Sequence, residues 1–271
     1  MTDWLWIIVL VLLADLIITV LVIAYARKGP RLAKRLSRLP AGPPADSLPA
    51  LARNFAIRAG AEAEPSGVVR IQQSCELRFS PEGSWHEMTG DSRVSTAQTA
   101  FVWQGSLKRG PLTIVTVLDS LIGGEGLMQA RLLSLLPMAS ATGEACDQAQ
   151  ALRYLGELAW APDAILQNRA LAWRELDPNR LEVSAMTPDG PTSLRLIFEA
   201  GDIVEVQADA RPRATDGGLE PTPWQARFWD YQQIGPRRLP SKGEVAWILP
   251  EGPFVYWRGL VTDWRLDVGR G

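Results

Sequence analysis

Residues 151–167, ALRYLGELAWAPDAILQ, bring Glu157 within six positions of Asp163, with Trp160 and Pro162 between them. Two carboxylates held about 5 to 10 Å apart across a cleft can act as acid and base in glycoside hydrolysis. The same side chains can instead point inward and hydrogen-bond neighbouring strands, and 30 acidic residues make chance pairs common. Other chemistries are limited by count. His86 is the sole histidine, so HExxH and histidine-rich zinc sites are excluded, and no cofactor is implied. Cys75 and Cys146 are the only cysteines and form no CxxC; free thiols are expected in a reducing compartment, with a disulfide open if the chain is exported. Gly123-Gly124-Glu125-Gly126 lacks the lysine of a phosphate-binding loop and reads as a tight bend between strands.

Aromatic content is more informative. Nine of the 11 tryptophans, Trp85, Trp103, Trp160, Trp173, Trp224, Trp229, Trp247, Trp257 and Trp264, lie beyond the N-terminal segment. In a domain of this size they can wall an apolar concavity that takes a lipid or other apolar small molecule, since ligand sites are mostly apolar with a few placed polar groups. They can equally fill a core between sheet and helix, the commonest use of buried aromatics. The residues assigned to this pocket or plug are Trp103, Tyr154, Glu157, Trp160, Trp173, Trp247 and Tyr256.

The elements that must position these side chains are mostly strands. In VVRIQQSCELRF, Val69, Ile71, Cys75, Leu77 and Phe79 alternate with Arg70, Gln72, Ser74, Glu76 and Arg78, the period of a strand with one buried and one wet face. Similar runs recur from Trp85 to Val268, joined by turn signals such as Ser80-Pro81-Glu82-Gly83, Pro188-Asp189-Gly190 and Pro250-Glu251-Gly252-Pro253. Links this short cannot make parallel crossovers, so an antiparallel meander is predicted. Arg211 to Pro223, RPRATDGGLEPTP, reads as a surface loop. A short helix is expected near Leu51, Phe55 and Ala59, capped by Asp46 or Ser47 with Pro49 in its first turn. One helical hairpin interrupts the strands. Asp147 and Gln150 resemble a capping box, Leu152, Leu155 and Ala159 share a face, Pro162 ends the first helix and Asp163–Gln167 begins a second turn. A curved sheet with one wet face has a use for such a hairpin, which is to cover its concave side.

Residues Trp4 to Ala26 form an apolar run interrupted only by Asp15, long enough at about 1.5 Å per residue to cross a hydrocarbon core of about 30 Å. Trp4, Trp6 and Tyr25 suit the two interfaces. Ala24-Tyr25-Ala26 resembles a signal-peptidase site, but the leading MTD carries no basic residue and the run exceeds the roughly 7 to 15 residues of a signal h-region. The segment therefore reads as an uncleaved single-pass anchor. Arg27, Lys28, Arg31, Lys34, Arg35 and Arg38 follow at once, which by the positive-inside rule keeps this flank in the cytoplasm. Leu32, Leu36 and Leu39 share a face opposite these bases, so the flank can lie on anionic lipid or serve as a topology signal alone. Asp15, midway through the span, is expected to meet a polar partner on another membrane protein or to snorkel. Residues 46–271 hold 22 basic and 28 acidic side chains, no electrostatic footprint for nucleic acid.

In this order, SLPALARNFAIRAG, VVRIQQSCELRF, FVW at 101–103, DSLIGGEGLM at 119–128, RYLGELAWAP at 153–162, LAWRELD at 171–177 and VAWILPEGPFVYWRG at 245–259 resemble an uncharacterised bacterial membrane-anchored family filed as a domain of unknown function. Its members often show Arg-Tyr-Leu-x-Glu followed by Trp-x-Pro, matched here by Arg153, Tyr154, Leu155, Glu157, Trp160 and Pro162, and a tyrosine where this chain has Leu121. The resemblance implies a fold like the half-barrel of bacterial lipoprotein carriers and brings no activity. The expected architecture is α+β, mainly β: a transmembrane helix over 1–26, a basic and proline-rich segment over 27–46, and a single domain over 47–271 in which a curved antiparallel sheet wraps a helical hairpin. The expected function is a non-enzymatic binding module on the inner membrane, facing the cytoplasm with the periplasm as the alternative. A scaffold or interaction subunit of a membrane complex is the competing reading.

Overall fold

The computed structural model describes residues 2–36, 48–215 and 218–268. The chain opens with α1 (Thr2–Ala26), α2 (Lys28–Leu36) and α3 (Ala50–Arg58). Six strands follow: β1 (Gly67–Leu77), β2 (His86–Ser95), β3 (Phe101–Arg109), β4 (Leu112–Ile122), β5 (Glu125–Leu132) and β6 (Leu136–Ala141). The chain then passes through α4 (Glu144–Gly156), a 3-10 turn (Glu157–Ala159) and α5 (Pro162–Gln167). It ends in β7 (Ala172–Asp177), β8 (Arg180–Thr187), β9 (Gly190–Glu199), β10 (Asp202–Thr215), β11 (Gly218–Ile234), β12 (Arg237–Leu249) and β13 (Gly252–Val268).

All thirteen strands join one sheet in the order β6-β5-β4-β3-β2-β1-β13-β12-β11-β10-β9-β8-β7. This order follows from the short links, because each forces its two strands into an antiparallel hairpin. The first six strands therefore meander from the centre to one edge, and the last seven return from the opposite edge until β13 pairs with β1 from Gly67↔Val268 to Leu77↔Trp257. The helical segment is the connection from edge to edge, and it runs across the concave face. Along β1, Val69, Ile71, Gln73 and Cys75 are buried while Gln72 and Ser74 are exposed, as the period of two requires. Phe79 departs from the expected pattern: it lies past the end of β1 and is exposed.

The plug is held by its own side chains and by glycines that let it come close. Helix α4 begins at Glu144 with Gly143 as N-cap, three residues before the predicted box. Asp147 consequently lies inside the helix, and its Oδ1 accepts the Gly126 N–H at 2.6 Å instead of capping. Gly126 must lack a side chain, since a Cβ there would stand 2.7 Å from the Cys146 carbonyl oxygen. Pro162 occupies the first turn of α5, where its missing N–H has no helical partner in any case. Asp163 is fully buried, and its carboxylate receives Arg237 Nε at 3.0 Å and Nη2 at 2.8 Å. Tyr154 donates its hydroxyl to the Ser95 carbonyl at 3.2 Å and accepts from Asn168 Nδ2 at 2.8 Å. Trp160 donates from Nε1 to the Pro240 carbonyl at 2.9 Å, meets Phe228 edge-on at 5.0 Å, and accepts the Trp264 indole N–H on its own carbonyl at 2.8 Å. Its ring lies on Gly243, where a Cβ would come within 2.8 Å.

One N-terminal and one late expectation are revised. The apolar side of α2 rests on the outer face of the sheet: Leu36 packs with Val68 and Ala100, and Leu32 packs with Val102, Leu118 and Ile122. Lys28 Nζ donates to Gln129 Oε1 at 2.8 Å, and the Arg131 guanidinium lies 4.3 Å over the Tyr25 ring. The leucine stripe read as lipid-facing is thus taken by the protein's own strands, because β3 and β4 offer apolar outer faces to cover. Arg38, Leu39, the caps Asp46 and Ser47 and most of the proline-rich linker lie outside the described residues. The segment Arg211–Pro223 is no loop but the far half of the β10–β11 hairpin, pairing from Arg211↔Thr222 to Thr215↔Gly218. Neighbouring β9 pairs β10 only to Gln207 and β12 pairs β11 only from Trp224, so Pro212 and Pro221 sit in a protruding ribbon where no further ladder needs their missing N–H.

Trp160→Ala removes a 5 % exposed indole from between plug and sheet. It should lower the unfolding free energy by about 3 to 5 kcal/mol in a denaturant titration of the purified protein; an unchanged midpoint would remove the plug's anchoring role.

Candidate functional site

Between the plug and the sheet lies a partly enclosed cavity of about 160 Å³. Its apolar wall comes from Leu77, Trp103, Trp160, Trp224, Phe228 and Trp257. Room for these rings is created by a transverse row of small positions on the concave face. Gly105 pairs with Gly90 and Gly243 pairs with Gly259. A Cβ at Gly105 would collide with the Trp103 ring and one at Gly259 with the Trp257 ring. The tryptophans thus lie flat on the neighbouring backbone, leaving space above them.

The polar part of the wall centres on Arg153 of α4. Its Nε donates to Glu157 Oε1 at 3.2 Å, and its Nη1 donates to Asp119 Oδ2. Its guanidinium stacks over Trp103 at 4.6 Å and Phe101 at 5.3 Å, inside the roughly 6 Å range of a cation–π contact. Glu157 Oε2 accepts the Ser92 hydroxyl at 2.6 Å, and Gln73 Oε1 accepts the Trp103 indole N–H at 3.0 Å. Asp119 is the one carboxylate of this group with an oxygen left over: Oδ1 is buried and has no hydrogen bond, although the Gln150 side chain stands beside it. Burial pushes the Asp119 carboxyl above the ordinary carboxylate range, with Arg153 and then Arg211 pulling it back. Arg153 stays firmly protonated, its burial outweighed by the two carboxylates it bridges.

A second cation, Arg211, enters from β10. Its Nη1 donates to the Tyr256 hydroxyl at 3.2 Å, which also accepts the Trp224 indole N–H at 3.1 Å. Tyr256 in turn stacks on Trp247, 5.7 Å apart with 21° between the rings. Two bulges aim these groups. Between Ala208↔Trp224 and Arg211↔Thr222, β10 spends one more residue than β11, which switches its parity and turns Arg211 toward the face of Val206 and Ala208. On β13, Tyr256 is the extra residue between Val245↔Trp257 and Ala246↔Val255.

Of the pocket or plug residues read from the sequence, Trp103, Glu157, Trp160 and Tyr256 line this cavity. Trp247 stands behind Tyr256. Tyr154 lies among the plug's hydrogen bonds, and Trp173 is half-buried on the edge strand β7. Glu157 and Asp163 do not face one cleft, since each is held by a different arginine and Asp163 is not on the cavity wall. Asp119, Arg153 and Arg211 were missed as site residues. Arg153 had a signal, four positions before Glu157 on the same helix face, and Asp119 stands in the otherwise apolar run VLDSLI. Arg27, between α1 and α2, and Arg31, Lys34 and Arg35 of α2 are exposed, and Asp15 is exposed midway along α1. Both cysteines are free and buried, and burial pushes each thiol up to about 11. Among the described residues no group of histidine, cysteine and acidic side chains is arranged to hold a metal.

Because the Asp119 carboxyl titrates above its ordinary value, it favours the folded state most below that ordinary value, 3.8, and loses that favour as pH rises through the elevated one. Asp119→Asn has no proton to lose. The wild type should therefore lose stability relative to Asp119→Asn as pH is raised from about 4 to 8 in parallel denaturant titrations. A constant difference across that range would show an ordinary carboxylate.

No curated protein matches the chain. Among solved structures, a LolA superfamily protein from Nitrosomonas europaea superposes with a TM-score of 0.42 at 8 % identity, over 80 % of this chain and 93 % of that one. A structure assigned as an outer membrane lipoprotein-sorting protein domain from Vibrio parahaemolyticus gives 0.42 at 12 % identity, over 82 % and 92 %. The family model that matches residues 41–259 is that of a family of unknown function, DUF6544, and the chain belongs to that family.

Proposed function

We propose that this protein is a single-pass, membrane-anchored binding module whose cavity takes the end of one apolar or amphiphilic chain. The observation that carries the proposal is the cavity itself: a tryptophan-walled space beside a fixed polar group, left open between plug and sheet. Its volume, about 160 Å³, decides against a whole two-chain lipid. Sites for drug-sized ligands run to roughly 300–1,000 Å³, so a single short chain, or the end of a longer one, is what fits. Gentle purification of the full chain followed by native mass spectrometry should show a copurifying amphiphile, and Val117→Phe, which narrows the half-buried wall, should release it. A cavity that stays empty in both proteins, and takes up no added single-chain amphiphile, would remove the proposal.

Membrane attachment is supported by α1, the one helix among the described residues long and apolar enough to cross a bilayer, and by its exposure along its length. The docking of α2 on β3 and β4 would then hold the cavity at a fixed attitude to the membrane, and Arg27, Arg31, Lys34 and Arg35 would face anionic headgroups. Asp15 is the point on α1 where a polar partner in the membrane would relieve the roughly 2.5 to 3.5 kcal/mol that a central carboxylate costs. The basic flank supports an orientation with the domain on the cytoplasmic side of the inner membrane. A reporter enzyme fused after Gly271 and active only when cytoplasmic should give signal; signal only from a periplasm-specific reporter would reverse the orientation.

A further inference from the structure

The two arginines of the cavity differ in one respect that bears on the ligand. Arg153 is matched by two carboxylates, Asp119 and Glu157. Arg211 makes no ion pair with any described residue. Its one hydrogen bond to protein is from Nη1 to the Tyr256 hydroxyl, and its Nε is buried with no partner. The guanidinium lies 4.7 Å from the Trp224 ring and 5.5 Å from that of Trp247, so its position is set by packing against them. Arg213, two residues on and turned to the same face by the same bulge, lies 5.9 Å from Trp247 and also has no carboxylate partner among the described residues. A half-buried guanidinium with one buried, unused N–H favours the arrival of a counter-ion. Arg211 lines the cavity as a cation with no carboxylate of its own, the kind of group that carboxylates and phosphates pair with through charge-assisted hydrogen bonds.

A second orphan belongs to the same cavity. Asp119 lines it, is only 9 % exposed, and leaves Oδ1 without a hydrogen bond. An acidic head beside Arg211 would be matched by its charge, whereas a cationic head would add to two guanidinium charges.

We infer that the bound molecule is a single-chain amphiphile with an acidic head, a carboxylate or a phosphate, received by Arg211 with its chain along the tryptophan wall. The inference rests on the binding reading above and adds the head-group class. The bulge in β10 is its structural basis, since without the extra residue Arg211 would point to the outer face. The 160 Å³ of space suits one chain and no more.

The test is a titration of the full chain in phosphatidylcholine nanodiscs at pH 8 with octanoate, octyl phosphate, octanol and octyltrimethylammonium, read by tryptophan fluorescence. At least one acidic compound should bind about tenfold or more tighter than octanol, the ratio one charge-assisted pair supplies. The tighter of octanoate and octyl phosphate identifies the source of the acid. In Arg211→Gln the ratio of acid to octanol affinity should collapse toward onefold, and Arg211→Lys should keep part of it. Octanol binding as tightly as both acids would overturn the head-group assignment and leave the cavity a binding site. No response to any of the four would overturn the binding reading itself, and with it this inference.

Discussion

A sheet of thirteen bent strands leaves a concave apolar face that water would otherwise wet, and the chain has one segment free to cover it. Residues 142–171 must travel from the edge strand β6 to the opposite edge strand β7, and the direct route crosses the hollow. Covering the hollow and making the connection are therefore the same event. Every strand end must stay compatible with helices lying a few ångströms away, which is why Gly126 has no side chain under Cys146 and Gly243 has none under Trp160. The plug's polar atoms are tied to several strands at once: Trp160 to Pro240, Tyr154 to Ser95, Asp163 to Arg237 and Glu157 to Ser92. Such ties across many strands make the plug and the sheet one cooperative unit.

The cavity exists because this filling is incomplete in one place. Where Trp103, Trp257 and Trp160 lie flat on glycines of β3, β13 and β12, the aromatic layer stops short of the ribbon formed by the far halves of β10 and β11. Buried charge concentrates at that gap. Arg153 bridges Asp119 of the sheet and Glu157 of the plug, so the ion group also joins the two layers. Removing one member of a buried group strands the others and costs about 3–5 kcal/mol, which makes these residues unsuitable for loose, exchangeable contact. Arg211 has no such commitment, and its position is set by stacking instead. A fixed charge group and an uncommitted cation side by side are what a selective polar end of an apolar site requires.

Much of this was legible in the residues. The period of two in Val68–Leu77 and the short turn signals led to an antiparallel meander, and the break in that rhythm at residues 147–167 located the plug. The paired glycines at 123 and 124 do form the β4–β5 turn, both at positive φ. What stayed hidden has identifiable causes. The bulge in β10 interrupts the alternation, and the three prolines and two glycines of residues 211–223 then read as a loop. Strand β6 is almost wholly exposed and so lacks a buried face to show, and the turn before it uses Leu133 and Ser134 at positive φ where glycine or asparagine would signal it. Gly143 rather than Asp147 opens α4, because Asp147 has a stronger partner in the Gly126 N–H. The stripe of leucines after the anchor signals an amphipathic helix, but which surface its apolar side meets depends on Val102, Leu118 and Ile122, brought there only by the fold. Of the cavity wall, the residue types and spacing pointed to Trp103, Glu157, Trp160 and Tyr256, while Asp119, Arg211, Trp224 and Trp257 reach it through a bulge or through strand partners distant in sequence.

The central claim is that residues 144–167 form the stopper of the sheet, packed as firmly as the strands around them. Amide hydrogen exchange of the full chain addresses it most directly. The account predicts that the amides of Leu152, Tyr154, Leu155 and Leu158 exchange as slowly as those of the central strands β1 and β13, and lose protection together with them as denaturant is added. Exchange across this segment at the rate of an open surface loop, with β1 and β13 still protected, would contradict it.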